Sequence, residues 1–109
     1  MLNPDEIYQK VLASGEEWAD LKSAYEALDD NTKSVLADIQ ANFLDGGKLT
    51  KGEAEMRALA SGEYKIHLAS VSAARKAWLR AQVKYDSLRM LADLRRSEES
   101  TKRAEMNLR

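Results

Sequence analysis

The chain has no cysteine, one proline, one histidine and five glycines in its 109 residues. Without Cys there is neither a disulfide framework nor a thiolate metal site, and the default expectation is a cytoplasmic protein. With Pro4 the only proline, no later residue forces a helix to stop. No apolar run approaches the roughly 20 residues that a membrane-spanning helix needs. The opening stretch, Met1-Leu2-Asn3-Pro4-Asp5-Glu6, is acidic and does not read as a secretory signal. His67 stands alone, with no second His and no Cys to share a zinc ion, and no motif puts a nucleophile beside it. It reads as a surface or seam histidine. Phosphate-cradling glycine loops and strand-to-helix nucleophile elbows are missing as well. The expectation is a protein that is not an enzyme and uses no cofactor or metal.

Charge and helical periodicity are plentiful. Charged residues make up 32% of the chain, and the net charge of -1 conceals a segregation. Residues 1–63 hold 6 Lys/Arg against 13 Asp/Glu, whereas residues 64–109 hold 11 against 5. Halves of opposite sign either pack on each other or leave the basic half for an anionic partner.

Asn3-Pro4-Asp5-Glu6 has the form of a helix start: an N-cap, a proline at the first position, then acids at the positive helix end. Ile7, Val11, Ser14, Trp18, Leu21, Tyr25 and Leu28 follow at alternating spacings of four and three, one stripe that runs straight through Gly15. The first helix is therefore expected over 4–28, with Ser14-Gly15 the place for any bend. Asp29-Asp30-Asn31 interrupts it and offers the next N-cap. A second helix is expected over 32–44, with Val35, Leu36, Ile39 and Phe43 on one face. Asp45-Gly46-Gly47-Lys48 is the clearest loop, and Thr50 with Glu53 forms a capping box.

A long third helix is expected over 51–94. Tyr64, Val71, Trp78, Tyr85 and Ala92 recur every seven residues, with Ala74, Ala81 and Leu88 between them, a coiled-coil-like seam. Leu79, Val83, Met90 and Leu94 form a second stripe on the same helix, and two stripes call for two neighbours. Residues 95–109 read as a basic helical arm continuing this helix, although breaks at Ser61-Gly62 and near Ser97 are open alternatives. The predicted fold is all-α, a helical hairpin packed on a long C-terminal helix, forming a domain over 1–94. Leu12-Ala13-Ser14-Gly15-Glu16 returns as Leu59-Ala60-Ser61-Gly62-Glu63, which reads as coincidence of common residues.

Three constellations invite chemistry. The stretch from Asp45 to Glu53 resembles the second half of a calcium loop, but aligning Gly47 and Glu53 puts Leu44 and Gly46 at ligand positions, where neither has a side-chain oxygen. It reads as a turn followed by a cap. Trp78 and Tyr85 have the spacing of a base-stacking platform, yet aromatics at inward heptad positions read first as core. Arg89, Arg95, Arg96, Lys102, Arg103 and Arg109 make a basic set, diluted by Asp93, Glu98, Glu99 and Glu105. They read either as phosphate contacts or as a salt-bridged, solvated helix.

One resemblance stands beside these readings. Tyr64-Lys65, His67-Leu68, Ala74-Arg75, Ala81, Val83, Tyr85 and Leu88, followed by Arg96-Ser97, Glu99, Thr101 and Arg103-Ala104-Glu105-Met106, resemble a family of small helical proteins encoded by tailed phages. The pattern covers about residues 60–108 and carries no catalytic signature. It implies a phage accessory protein in the bacterial cytoplasm, with no functional residues to transfer. Together the readings predict a protein that binds a host protein or ribonucleoprotein complex, for example as an anti-CRISPR inhibitor. It would do so as a homodimer paired along Leu79, Val83, Met90 and Leu94. The partner would meet Arg89, Arg95, Arg96, Lys102, Arg103 and Met106. The alternative is a nucleic-acid-binding accessory in phage recombination or packaging.

Overall fold

The computed structural model describes residues 3–108. They form four helices: α1 (Pro4–Asp30), α2 (Thr32–Leu44), α3 (Lys51–Leu59) and α4 (Gly62–Asn107). There is no strand among the described residues, and the expected all-α architecture, with α1 and α2 set against a long C-terminal helix, is present. The chain gathers into two compact units. One combines the chain up to Leu21 with the chain from Trp78 onward, and the other holds Lys22–Ala77. Helix α4 takes part in both units.

In the first unit, α1 packs against α4 along the predicted stripes. Ile7, Ser14 and Ala81 are buried, while Val11, Trp18, Tyr85, Leu88 and Ala92 are half-buried. Trp18 and Tyr85 stack, with ring centroids 5.9 Å apart and planes 28° from parallel. The absence of a side chain at Gly15 permits this: a Cβ there would lie 3.1 Å from Tyr85 Cε1. Opposite charges of the two halves meet where Lys84 Nζ donates to Glu17 Oε2 at 3.3 Å. Both groups are half-exposed, so the pair contributes at most ~1 kcal/mol and mainly fixes register. At the start of α1, Asn3 Oδ1 accepts from the Glu6 N–H at 2.8 Å, the cap the sequence predicts.

In the second unit, α3 packs on α2. Ala54 and Ala58 are fully buried and Ile39 nearly so, and the small side chains allow close helix approach. The turn between these helices contains Gly47 at φ +69°, the left-handed region that glycine enters without strain. Thr50 caps α3 by accepting from the Glu53 N–H at 3.2 Å and donating to Glu53 Oε1 at 3.1 Å. Thr32 and His67 are 2.9 Å apart, and Thr32 Oγ1 also lies 3.4 Å from the Leu28 carbonyl.

Two expectations need correction. Asn31 makes no side-chain cap and keeps helical backbone angles, φ -81° and ψ -6°. The Asn31 N–H bonds to Ala27 O at 3.2 Å and the Val35 N–H bonds to Asn31 O at 3.0 Å, so the interruption is slight. The inward positions explain it: Leu28, Thr32, Val35 and Ile39 keep the four–three alternation across the junction, and a larger break would lose that phase. The third helix expected over 51–94 is, in contrast, two helices divided at Ala60-Ser61. There Ser61 Oγ accepts from the Tyr64 N–H at 3.2 Å and donates to Ala58 O at 2.7 Å, capping α4. Past Ser97 the helix does not break, and it continues to Asn107.

Candidate interaction surface

All ten residues singled out for binding or pairing lie on α4 within the first unit. They fall into three groups with different surroundings.

Arg89, Arg95 and Arg96 come together around a groove of about 490 Å³. Pro4, Ile7, Tyr8 and Val11 of α1 form one wall, and Ala92, Asp93 and Glu99 complete the other. Arg89 lies over the Tyr85 ring, with its Cζ 5.4 Å from the ring centroid, within cation–π distance. Arg95 stands seven residues after Leu88 and fourteen after Ala81, in the inward column of the seam, and is half-buried. Neither Arg89 nor Arg95 has a carboxylate within ion-pair distance among the described residues, whereas Arg96 reaches Asp93 at 3.9 Å.

Lys102, Arg103 and Met106 lie outside the groove. Everything from Arg96 to Leu108 is exposed, and Arg103 Nη2 sits 3.9 Å from Glu99 Oε2 one turn back. This end of α4 combines the two readings of its charge: part is paired along the helix and part is free for a partner. Arg109, the last of the basic set, lies outside the described residues.

Leu79, Val83, Met90 and Leu94 make the third group. At 100° per residue they fall within an arc of about 60°, on the side of α4 opposite the seam. They are 41%, 66%, 66% and 60% exposed, so nothing in this unit covers them. Isolated exposed apolar residues are ordinary, but four aligned over 16 residues of one helix make a face.

Sequence reasoning found α4's contribution and missed α1's. Tyr8 (63% exposed), Ile7 and Val11 become part of the surface only because the start of α1 is set beside Arg89–Glu99. The acids Asp93 and Glu99 were read as dilution of a basic arm, and they also line the groove. The signal available in advance was Tyr8, a large aromatic just off the apolar stripe.

The remaining surface carries little chemistry. Among the described residues no group of three or more His, Cys, Asp or Glu is placed to hold a metal ion. Among the described residues no helix is long and apolar enough to cross a membrane. No family model matches the chain, and no curated protein or solved structure is similar to it.

Proposed function

We propose that this chain is a non-enzymatic binding protein that acts by occupying a macromolecular partner, using the outer face and the basic end of α4. The observation that carries this reading is the uncovered stripe Leu79, Val83, Met90 and Leu94, lying opposite a seam that is already filled. Large apolar side chains aligned on one helix face and left bare are costly in water, and such faces mark sites that a partner covers. The resemblance read in residues 60–108 to small tailed-phage proteins motivates a proposed setting in the cytoplasm of an infected bacterium. There the partner is a host protein or ribonucleoprotein, and inhibition of a defence complex such as a CRISPR effector is the most concrete version. Such inhibition requires surface and no reaction.

The test is affinity capture from the bacterial host with the wild-type chain and with a Val83→Glu, Met90→Glu variant in parallel. One prey enriched by the wild type and lost by the variant supports the reading. Identical captures by both remove the stripe from it. The same stripe supports pairing of two copies, which sedimentation tests: a 12.2 kDa species persisting at high concentration excludes the homodimer.

A second reading, a nucleic-acid-binding accessory, is favoured by the gathering of Arg89, Arg95 and Arg96 on one groove. It predicts gel-shift binding that falls steeply with salt and disappears on Arg95→Ala, Arg96→Ala, Lys102→Ala and Arg103→Ala together. The absence of any shift with DNA or RNA at low salt eliminates it.

A further inference from the structure

We infer that the groove between the start of α1 and Arg89–Glu99 of α4 is a receptor site for a short acidic peptide segment with an apolar anchor, contributed by the partner protein. The inference rests on reading the chain as a binding protein and names the chemistry of what it binds. It uses a surface distinct from the outer stripe.

Three features of the groove select this ligand class. The first is the pair of guanidiniums without carboxylates, Arg89 and Arg95. Arg89 lies over the Tyr85 ring, which in turn stacks with Trp18, so the cation has a support in the seam. A guanidinium is a planar fork that suits a carboxylate, which it grips with two parallel hydrogen bonds. Arg95 occupies an inward column otherwise filled by Ala81 and Leu88, where a half-buried cation gains most from an incoming anion.

Apolar lining is the second feature. Val11, Ala92 and the exposed Tyr8, backed by the buried Ile7, offer an aliphatic and aromatic surface directly next to the cations. A side chain such as Leu or Phe would bury against it, whereas a sugar–phosphate backbone would not. The third is the acids Asp93 and Glu99, which line the same groove. A polynucleotide brings a negative charge with every residue and cannot keep them away from these carboxylates. A peptide carries its charges only where its sequence puts them, opposite Arg89 and Arg95. The volume, about 490 Å³, suits a few side chains of an extended or helical segment.

Fluorescence anisotropy with the full chain provides the test. The probe is a fluorescein-labelled decapeptide built from alternating Glu and Leu pairs. It is compared with a version carrying Gln for Glu, one carrying Ser for Leu, and a labelled thymidine decanucleotide. The expected result is saturable binding of the Glu/Leu peptide, weakened about tenfold or more by either replacement, since each removes several contacts. Arg89→Gln with Arg95→Gln should weaken it by a similar factor while the circular dichroism spectrum stays helical. Lys33→Gln with Lys48→Gln, two exposed lysines of the second unit, should leave it unchanged. Amide shifts on titration should concentrate at Tyr8, Val11 and Ala92.

Four results would overturn the inference: tighter binding of the oligonucleotide, equal binding of the Ser-substituted peptide, equal loss in the two double variants, or no saturable binding at millimolar peptide. Because the probe is defined, failure here is separable from failure to capture a host target through the outer stripe.

Discussion

The same five residues, Leu-Ala-Ser-Gly-Glu, occur at 12–16 and at 59–63, and they do opposite things. In α1 they lie inside one unbroken helix. At 59–63 they hold the break between α3 and α4. The local chemistry begins alike, since Ser14 Oγ donates to Val11 O at 2.9 Å and Ser61 Oγ donates to Ala58 O at 2.7 Å. The difference lies in what the flanking apolar positions require. Around the first copy, inward residues run Ile7, Val11, Ser14, Trp18, Leu21, in strict four–three alternation. Around the second they run Ala54, Ala58, Ser61, Tyr64, His67, Val71, with three successive spacings of three. An uninterrupted helix would carry Tyr64 and His67 off the seam, and the break returns them to it. In the first copy α1 stays whole because the phase needs no correction and the Tyr85 ring seals Gly15. Helix interior and helix break are thus both accessible to this pentapeptide, and packing phase selects between them.

Breaking the contrast is most direct at the ring that covers the first copy. Tyr85→Ala should destabilise the protein by about 2–3 kcal/mol, less than the roughly 3–5 kcal/mol of a fully buried aromatic because the side chain is half-buried. Urea denaturation measures that loss. Hydrogen exchange at the amides after Ser14 should accelerate more than exchange in α2, as the first copy loses what holds it helical. Next in size is Gly15→Leu, where the new side chain must displace a ring already 3.1 Å from a Cβ; about 1–3 kcal/mol of overpacking follows. A stability equal to wild type would show that Tyr85 is free to move, and that the close approach does not hold the segment.

The serines sharpen the contrast at smaller scale. Ser61→Ala removes the cap on the Tyr64 N–H and should cost about 1 kcal/mol. Ser14→Ala, inside a helix where the hydroxyl only back-bonds to Val11 O, should change stability by less than about 0.5 kcal/mol. Equal costs would mean that both serines act alike and that phase is not what separates the copies. Smallest is Gly62→Ala: nothing lies within 4 Å of a Cβ there, so the gain in helix preference, about 0.5 kcal/mol, should appear as a slightly raised melting temperature.

Much of the fold was legible because helical periodicity is local. The stripe from Ile7 to Leu28, the N-cap at Asn3, the capping box at Thr50 and the Gly47 turn are short-range patterns with short-range causes. Asn31 misled because Asp-Asp-Asn is good capping chemistry, whereas the unbroken phase from Leu28 to Ile39 overrode it. The site was legible by half. Arg89, Arg95 and Arg96 could be picked out as a basic set, and Leu79 to Leu94 as a stripe. The wall formed by Pro4, Ile7, Tyr8 and Val11 could not be assigned to the same place, since those residues stand some 80 to 95 positions away from the arginines.

By itself, then, the sequence determined an all-helical chain with its apolar stripes, its caps and its turn, since each follows from spacings within a few residues. It left a break at Ser61-Gly62 as an open alternative, and packing phase decided that the helix divides there. Tertiary structure decided which stripe became a seam and which stayed bare, that Gly15 lies close against the Tyr85 ring, and that Arg89 and Arg95 share a groove with the first turns of α1. Those outcomes depend on which distant segment is brought alongside, and helical periodicity specifies that a face wants a neighbour without specifying which one.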